Sequence, residues 1–114
     1  MNQTRKVAII GSTQYYDEML EHRQELLLED CEVRLPIFDD HPLLNELEIC
    51  ECNLNMIEWA DEVHLIWDQR SVGVIFDFGM VFALRKRLKI IYLEPKTISG
   101  VMKRYEEKMG NGCS

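Results

Sequence analysis

A chain of 114 residues, 46% apolar and 29% charged, is long enough for one hydrophobic core and too short for two, and its composition excludes intrinsic disorder. Its net charge of −7 excludes the clustered basic surface that a nucleic-acid polymer or an anionic membrane requires, and leaves small anionic ligands open because these respond to local fields. No apolar run nears the roughly 20 residues of a membrane span, and the opening Met-Asn-Gln-Thr-Arg-Lys lacks the apolar segment of a signal peptide, so a cytoplasmic protein is expected.

The first element is the compact apolar run Lys6 to Ile10, typical of a strand buried on both faces of a parallel sheet. It ends in Gly11-Ser12-Thr13, where the glycine and two hydroxyls can line a ligand, or the hydroxyls can simply cap the next helix. Tyr16, Met19, Leu20 and Leu27 predict an amphipathic helix from about Gln14 to Glu29, and Tyr15 or Tyr16 can either stack on a flat ligand or pack. A second strand is expected over Cys31 to Phe38. The turn Asp39-Asp40-His41-Pro42 suits the entry to a helix, with proline in its first turn. Leu43, Leu47, Cys50, Leu54 and Ile57 recur at helical spacing, so that helix should run to about Ala60. Asn53 lies beside this stripe, looking either into a cleft or into solvent, and Trp59 reads as packing.

Glu62 to Trp67 predicts the third strand, with Asp68 at its carboxyl end and Gln69-Arg70-Ser71 as the loop. His64 within that strand reads as a hydrogen-bonded structural histidine. The next helix should span Val74 to Leu84, which places Asp77 in its first turn, where the helix dipole favours an ionised carboxylate. Phe76, Phe78, Met80, Val81, Phe82, Ala83 and Leu84 leave that helix no polar face, so both its sides must be covered. One side can meet the sheet, and a second subunit is the economical cover for the other. A fourth strand over Lys89 to Leu93 is broken by Glu94-Pro95-Lys96. Val101, Met102, Tyr105 and Met109 then mark a last amphipathic helix starting near Ser99, and Gly110 to Ser114 reads as a frayed tail.

Cys31, Cys50, Cys52 and Cys113 show no metal-ligand spacing with one another or with His22, His41 and His64, and residues two apart on a helix, as Cys50 and Cys52 are, point in different directions. No metal is expected. The first loop carries neither the Gly-x-Gly-x-x-Gly nor the Walker pattern, and no cofactor is implied. The alternation of strands and helices over residues 1–114 therefore predicts a single α/β domain, a three-layer Rossmann-like or flavodoxin-like sandwich around a four-stranded parallel sheet. Its ligand edge should be the carboxyl ends of the strands, bringing together Gly11 to Thr13, Phe38 to His41, Asp68 to Ser71 and Glu94. A receiver-like domain of the same architecture is the weaker alternative, because Gly11-Ser12-Thr13 supplies no acid to hold Mg²⁺.

A strand ending in Gly11-Ser12, a helix ending Asn53-Leu54-x-x-Ile57-x-x-Ala60-Asp61, a strand to Asp68, and the run Ser71-Val72-Gly73-x-x-Phe76-Asp77-Phe78-Gly79-x-x-x-Ala83-Leu84 together resemble the nucleoside 2-deoxyribosyltransferase-like superfamily, which includes deoxynucleoside 5'-monophosphate N-glycosidases. The resemblance covers about Lys6 to Leu93 and is most specific over Asp61 to Leu84. It implies cleavage of an N-glycosidic bond by a helix-borne carboxylate, with the deoxyribose held covalently before transfer to another base or to water. The family's nucleophile is a Glu, and the matching position here is Asp77, shorter by one methylene or roughly 1.5 Å. Where the family carries a helix Asp this chain has Asn53, which can hydrogen-bond but cannot act as acid or base. Ser71 matches the phosphate-binding serine of the monophosphate hydrolase branch, a sound phosphate partner at a helix N-terminus. The implied site is thus Asp77, Asn53 and Asp68 for catalysis, with Gly11, Ser12, Thr13, Tyr16, Ser71 and Gly73 for substrate. The implied ligand is a nucleoside or nucleotide and the implied assembly a homodimer or higher homo-oligomer; the alternative is a nucleotide-binding relative that has lost turnover.

Overall fold

The apolar runs around Ala8 and Leu65 become the two central strands of an all-parallel sheet, in a computed structural model that describes residues 4–38, 41–95 and 97–110. The strands are β1 (Lys6–Gly11), β2 (Glu32–Arg34), β3 (Glu62–Trp67) and β4 (Arg87–Tyr92), in the order β2-β1-β3-β4. Between them run α1 (Tyr16–Leu28), α2 (Glu46–Trp59) and α3 (Val72–Ala83), and α4 (Ile98–Gly110) closes the chain. This is the expected three-layer α/β architecture. Because side chains alternate across a strand, Val7 and Ile9 join Ile66 with Met19 and Leu26 of α1 on one face. Ala8, Ile10, Val63 and Leu65 meet Met56 and Ile57 of α2 and Val74 and Val81 of α3 on the other. No helix among the described residues is long and apolar enough to cross a membrane.

Several boundaries differ from the sequence-based expectation, each for a local reason. The second strand is shorter than Cys31 to Phe38 and stops at Arg34. Pro36 has no N–H for a ladder, and both the N–H and the carbonyl of Ile37 are bonded to the Asn53 side chain. Helix α2 starts after Asn45 rather than at Pro42, because Asn45 and Glu48 form a reciprocal capping box that satisfies the free backbone groups of the first turn. Helix α4 starts one residue before Ser99, and the Thr97 hydroxyl accepts from the Gly100 N–H at 3.0 Å. Helix α3 begins at Val72, so its first turn contains no acid and Asp77 falls in the second. The helix-dipole argument for its ionisation is correspondingly weaker, since that field fades beyond the first turn. Asp39, Asp40 and the tail from Asn111 to Ser114, including Cys113, lie outside the described residues.

His64 is buried and structural, as expected. Its Nε2 lies 3.1 Å from Glu62 Oε1 and its Nδ1 2.7 Å from His22 Nε2 on α1. Trp59 packs under the Arg34 guanidinium, 4.1 Å from the ring centre.

Candidate functional site

The strand order reverses between β1 and β3: the chain leaves β1 for β2 on one side and leaves β3 for β4 on the other. Loops diverging from such a switch point open a crevice at the carboxyl ends of the strands. A hollow of about 580 Å³ lies there, within the usual range for a small-molecule site. Gly11, Ser12 and Thr13 reach it from the end of β1, Asn53 from α2, and Ser71, Gly73 and Asp77 from the start of α3. Of the implied catalytic and substrate residues, only Asp68 and Tyr16 fall outside its wall, and of the wider expected edge His41, Gln69, Arg70 and Glu94 do not line it either.

Each wall has a physical cause. Gly11 is buried beside β3, and a Cβ there would stand 2.6 Å from Met19 Cε and 2.7 Å from the Ile66 carbonyl oxygen. The second atom belongs to the backbone and cannot step aside, so only glycine lets the chain leave β1 here. Ser12 and Ser71 precede their helices in extended conformation, yet neither side chain makes a cap hydrogen bond. Of the two roles open to Ser12, capping is therefore not the one it takes, and both residues line the hollow beside backbone N–H groups that a helix start leaves free. Asp77 is half-buried on the wall formed by α3.

Asn53 is buried, and its amide is used in full view of the fold: Oδ1 accepts from the Ile37 N–H at 2.9 Å and Nδ2 donates to the Ile37 carbonyl at 3.0 Å. This pairing replaces the strand ladder that Pro36 interrupts, and it presents Pro36, Ile37 and Phe38 as the apolar side of the hollow. Asn53 positions the wall.

Asp68 is the most heavily bonded side chain near the site. It is completely buried and accepts from Gln14 Nε2 at 3.2 Å, the Tyr15 hydroxyl, the Arg70 backbone N–H at 3.0 Å and Arg70 Nε at 2.9 Å. Burial pushes its carboxyl up, but the hydrogen bonds from Tyr15 and Arg70, with the Arg70 charge, outweigh it and hold the group below the usual carboxylate range. The side chain thus ties the loop after β1 to the loop after β3. Gln69, between Asp68 and Arg70, takes a left-handed φ of 71°, a conformation non-glycine residues adopt at some cost. Tyr16 is exposed and meets Phe38 edge-to-face at 5.9 Å, on an adjoining hollow that shares Thr13, Pro36, Ile37 and Phe38 with the first.

Sequence reasoning placed Phe38 at this edge but missed Glu46, Ile49, Cys50 and Phe76 as lining residues. The Asn45-x-x-Glu48 capping pattern was the available signal for Glu46, because it fixes the start of α2 and so places Glu46 in a first turn aimed at the sheet's ligand edge. Glu94 does not join the cluster; it pairs with Arg104 of α4. A larger hollow of about 830 Å³ lies beneath that pair, but it is the gap left where α4 turns away from the sheet, and it brings together no loop from the switch point. Among the described residues no group of three His, Cys, Asp or Glu side chains is placed to hold a metal ion.

No protein-family model and no curated protein sequence matches the chain. Solved structures do. The chain superposes on a 2-desoxiribosyltransferase from Leishmania mexicana with a TM-score of 0.58 at 18% identity, covering 85% of this chain and 70% of that one. It superposes on a conserved protein from Enterococcus faecalis V583 with a TM-score of 0.61 at 14% identity, covering 93% and 76%. The Gly11-Ser12 exit from β1, the switch-point hollow and the Ser71-to-Gly79 entry into α3 thus sit within a nucleoside 2-deoxyribosyltransferase-like α/β fold.

Proposed function

We propose that the protein cleaves or transfers at the N-glycosidic bond of a deoxynucleoside or deoxynucleoside 5'-monophosphate. The observation that carries this reading is the convergence of Ser12, Ser71, Gly73 and Asp77 on one hollow at the switch point of a deoxyribosyltransferase-like fold. A 5'-phosphate accepts hydrogen bonds from the Ser12 and Ser71 hydroxyls and from the free N–H groups that open α3. The base lies against Ile37, Phe38 and Phe76. An Asp77 carboxylate oxygen attacks C1' of the sugar, the C1'–N bond breaks with its electron pair passing to the base, and the base takes up a proton. Glu46, the other carboxyl group lining the hollow, is the candidate to relay that proton. Water or a second base then attacks C1', its proton returning to the carboxylate that protonated the first base, and the ester to Asp77 breaks with its electron pair returning to the Asp77 carboxylate. Asn53 and Asp68 act by positioning, through Ile37 and through the Gln14, Tyr15 and Arg70 cluster. The protein works in the cytoplasm as a homodimer or higher homo-oligomer, since α3 and α4 leave large apolar faces in solvent.

A second reading, a nucleotide-binding relative without turnover, draws on the shorter Asp77 carboxylate and on Asn53, which brings no acid to the site. Both readings meet one experiment: incubation of the purified protein with deoxynucleoside monophosphates, with chromatography of the free base. Base should appear, fall by on the order of 1,000-fold or more in Asp77→Ala as for loss of a covalent nucleophile, and rise in Asp77→Glu. Nucleotide binding by calorimetry with no base above the Asp77→Ala background leaves the binding module standing and removes the enzyme.

A further inference from the structure

Helix α4 and the sheet edge it follows are built as two halves of a contact that a single chain does not make. Ile98, Val101, Met102 and Tyr105 recur at spacings that put them on one helical face, all are more than half exposed, and no residue of α4 is buried. On the sheet, Leu65, Trp67, Val74, Ile75, Phe78 and Ile90 line a purely apolar groove of about 150 Å³ between α3 and β4. In a doubly wound sheet this strip beside the last helix is where the next helix packs, and here the next helix is α4.

We propose that two copies of this chain associate by reciprocal exchange, the α4 of each lying in the α3–β4 groove of the other. The occupant is a second copy because the groove and the ridge that fits it belong to one sequence, and a two-fold pair satisfies both at once and closes. Folding back onto the same chain is opposed at the connection. The Thr97 hydroxyl caps α4 at Gly100, and Arg104 is paired with Glu94, which together direct the helix away from the sheet. The radius of gyration is 17.4 Å, against about 13 Å for a compact chain of this length. The exposed apolar side chains of α3, β4 and α4 amount to on the order of 1,000 Å², above the few hundred of an ordinary monomer patch and comparable to the roughly 800 Å² per partner of a stable interface. The exchange deepens the homo-oligomer reading and rests on it, but it is independent of turnover in the hollow.

Sedimentation equilibrium of the full chain tests it, with Met102→Glu on α4 and Ile75→Glu on the groove. Both positions are exposed, so the fold does not depend on them, and circular dichroism should be unchanged. The wild type should be dimeric, and each variant should raise the dimer dissociation constant at least about tenfold, as loss of a central apolar contact does. An equimolar mixture of the two variants should associate more tightly than either alone, because one of the two exchanged contacts is then wild type on both sides. A dimer indifferent to Met102→Glu, or a mixture no tighter than its parts, overturns the exchange and leaves the homo-oligomer reading intact. A wild-type monomer with a scattering radius well under 17.4 Å places α4 on its own chain and overturns both.

Discussion

Strands β3 and β4 are hydrogen-bonded neighbours with similar apolar sequences, yet Leu65 and Ile66 are 2% exposed whereas Ile90 is 39% and Tyr92 60% exposed. The difference comes from what covers them. The β1–β3 half of the sheet carries α1 on one face and α2 with the inner side of α3 on the other, while β4 lies last in the order and α4 does not return to it. The candidate site draws on the segments that follow β1, β2 and β3 and takes no residue from β4 or α4. Loops that must hold side chains at fixed separations belong on the part of the molecule whose packing leaves them no alternative, and the under-covered half is free to serve as contact surface.

The contrast is open to a direct attempt to break it. Ile57→Ala removes a fully buried side chain from the core shared by α2 and the sheet and should cost about 3 to 4 kcal/mol, whereas Tyr92→Ala on the exposed strand should cost about 0.5 kcal/mol or less in the monomer. Urea denaturation of both at low protein concentration measures the difference; comparable losses would show that the two halves are equally packed. Next in size is Asp68→Asn, which keeps the shape of the side chain and weakens its charge-assisted bonds from Tyr15 and Arg70. With Arg70 half exposed the loss should be about 2 kcal/mol, and nucleotide binding should weaken with it as the two loops lose their tie. Unchanged stability would mean that the cluster does not hold the site's loops together.

A further effect, set by pH, concerns the join between α1 and β3. Burial, outweighing the nearby Glu25 and Glu62 carboxylates, lowers the pKa of both His22 and His64, and the Lys89 charge adds to this. Two protonated rings at 2.7 Å would also set donor against donor. The folded protein therefore resists protons that the unfolded chain accepts near pH 6.5, and stability should be complete above that pH and fall as pH drops below it. The slope should reach at most about 1.4 kcal/mol per pH unit for each histidine. Chemical melts at pH 7.5 and 5.5 check the sign, and His22→Gln should flatten the dependence; a wild type that gains stability on acidification would reverse it.

Much of this was legible in the chain itself. The runs at Lys6 to Ile10 and Glu62 to Trp67 announce buried parallel strands because continuous apolar character has few other uses in a short segment. The stripe from Leu47 to Ile57 announces a helix, and a switch-point site follows once strands and helices alternate. Gly11, Ser12 and Ser71 are expected at the carboxyl edge that such an alternation creates, whereas Asn53 and Asp77 are singled out by the family resemblance. What the sequence alone could not supply were the partners. The same amide in Asn53 could have faced solvent or ligand, and only the folded chain shows it bonded to Ile37. Asp68 could have pointed into the hollow, and only the meeting of Gln14, Tyr15 and Arg70 shows that it fastens two loops. The apolar sequence of α3 required a cover on both sides without fixing which group supplies the second. Periodicity reports that a side chain must be buried or bonded, since that is a property of the chain's own repeat; which group answers it depends on residues tens of positions away, and tertiary structure alone decides that.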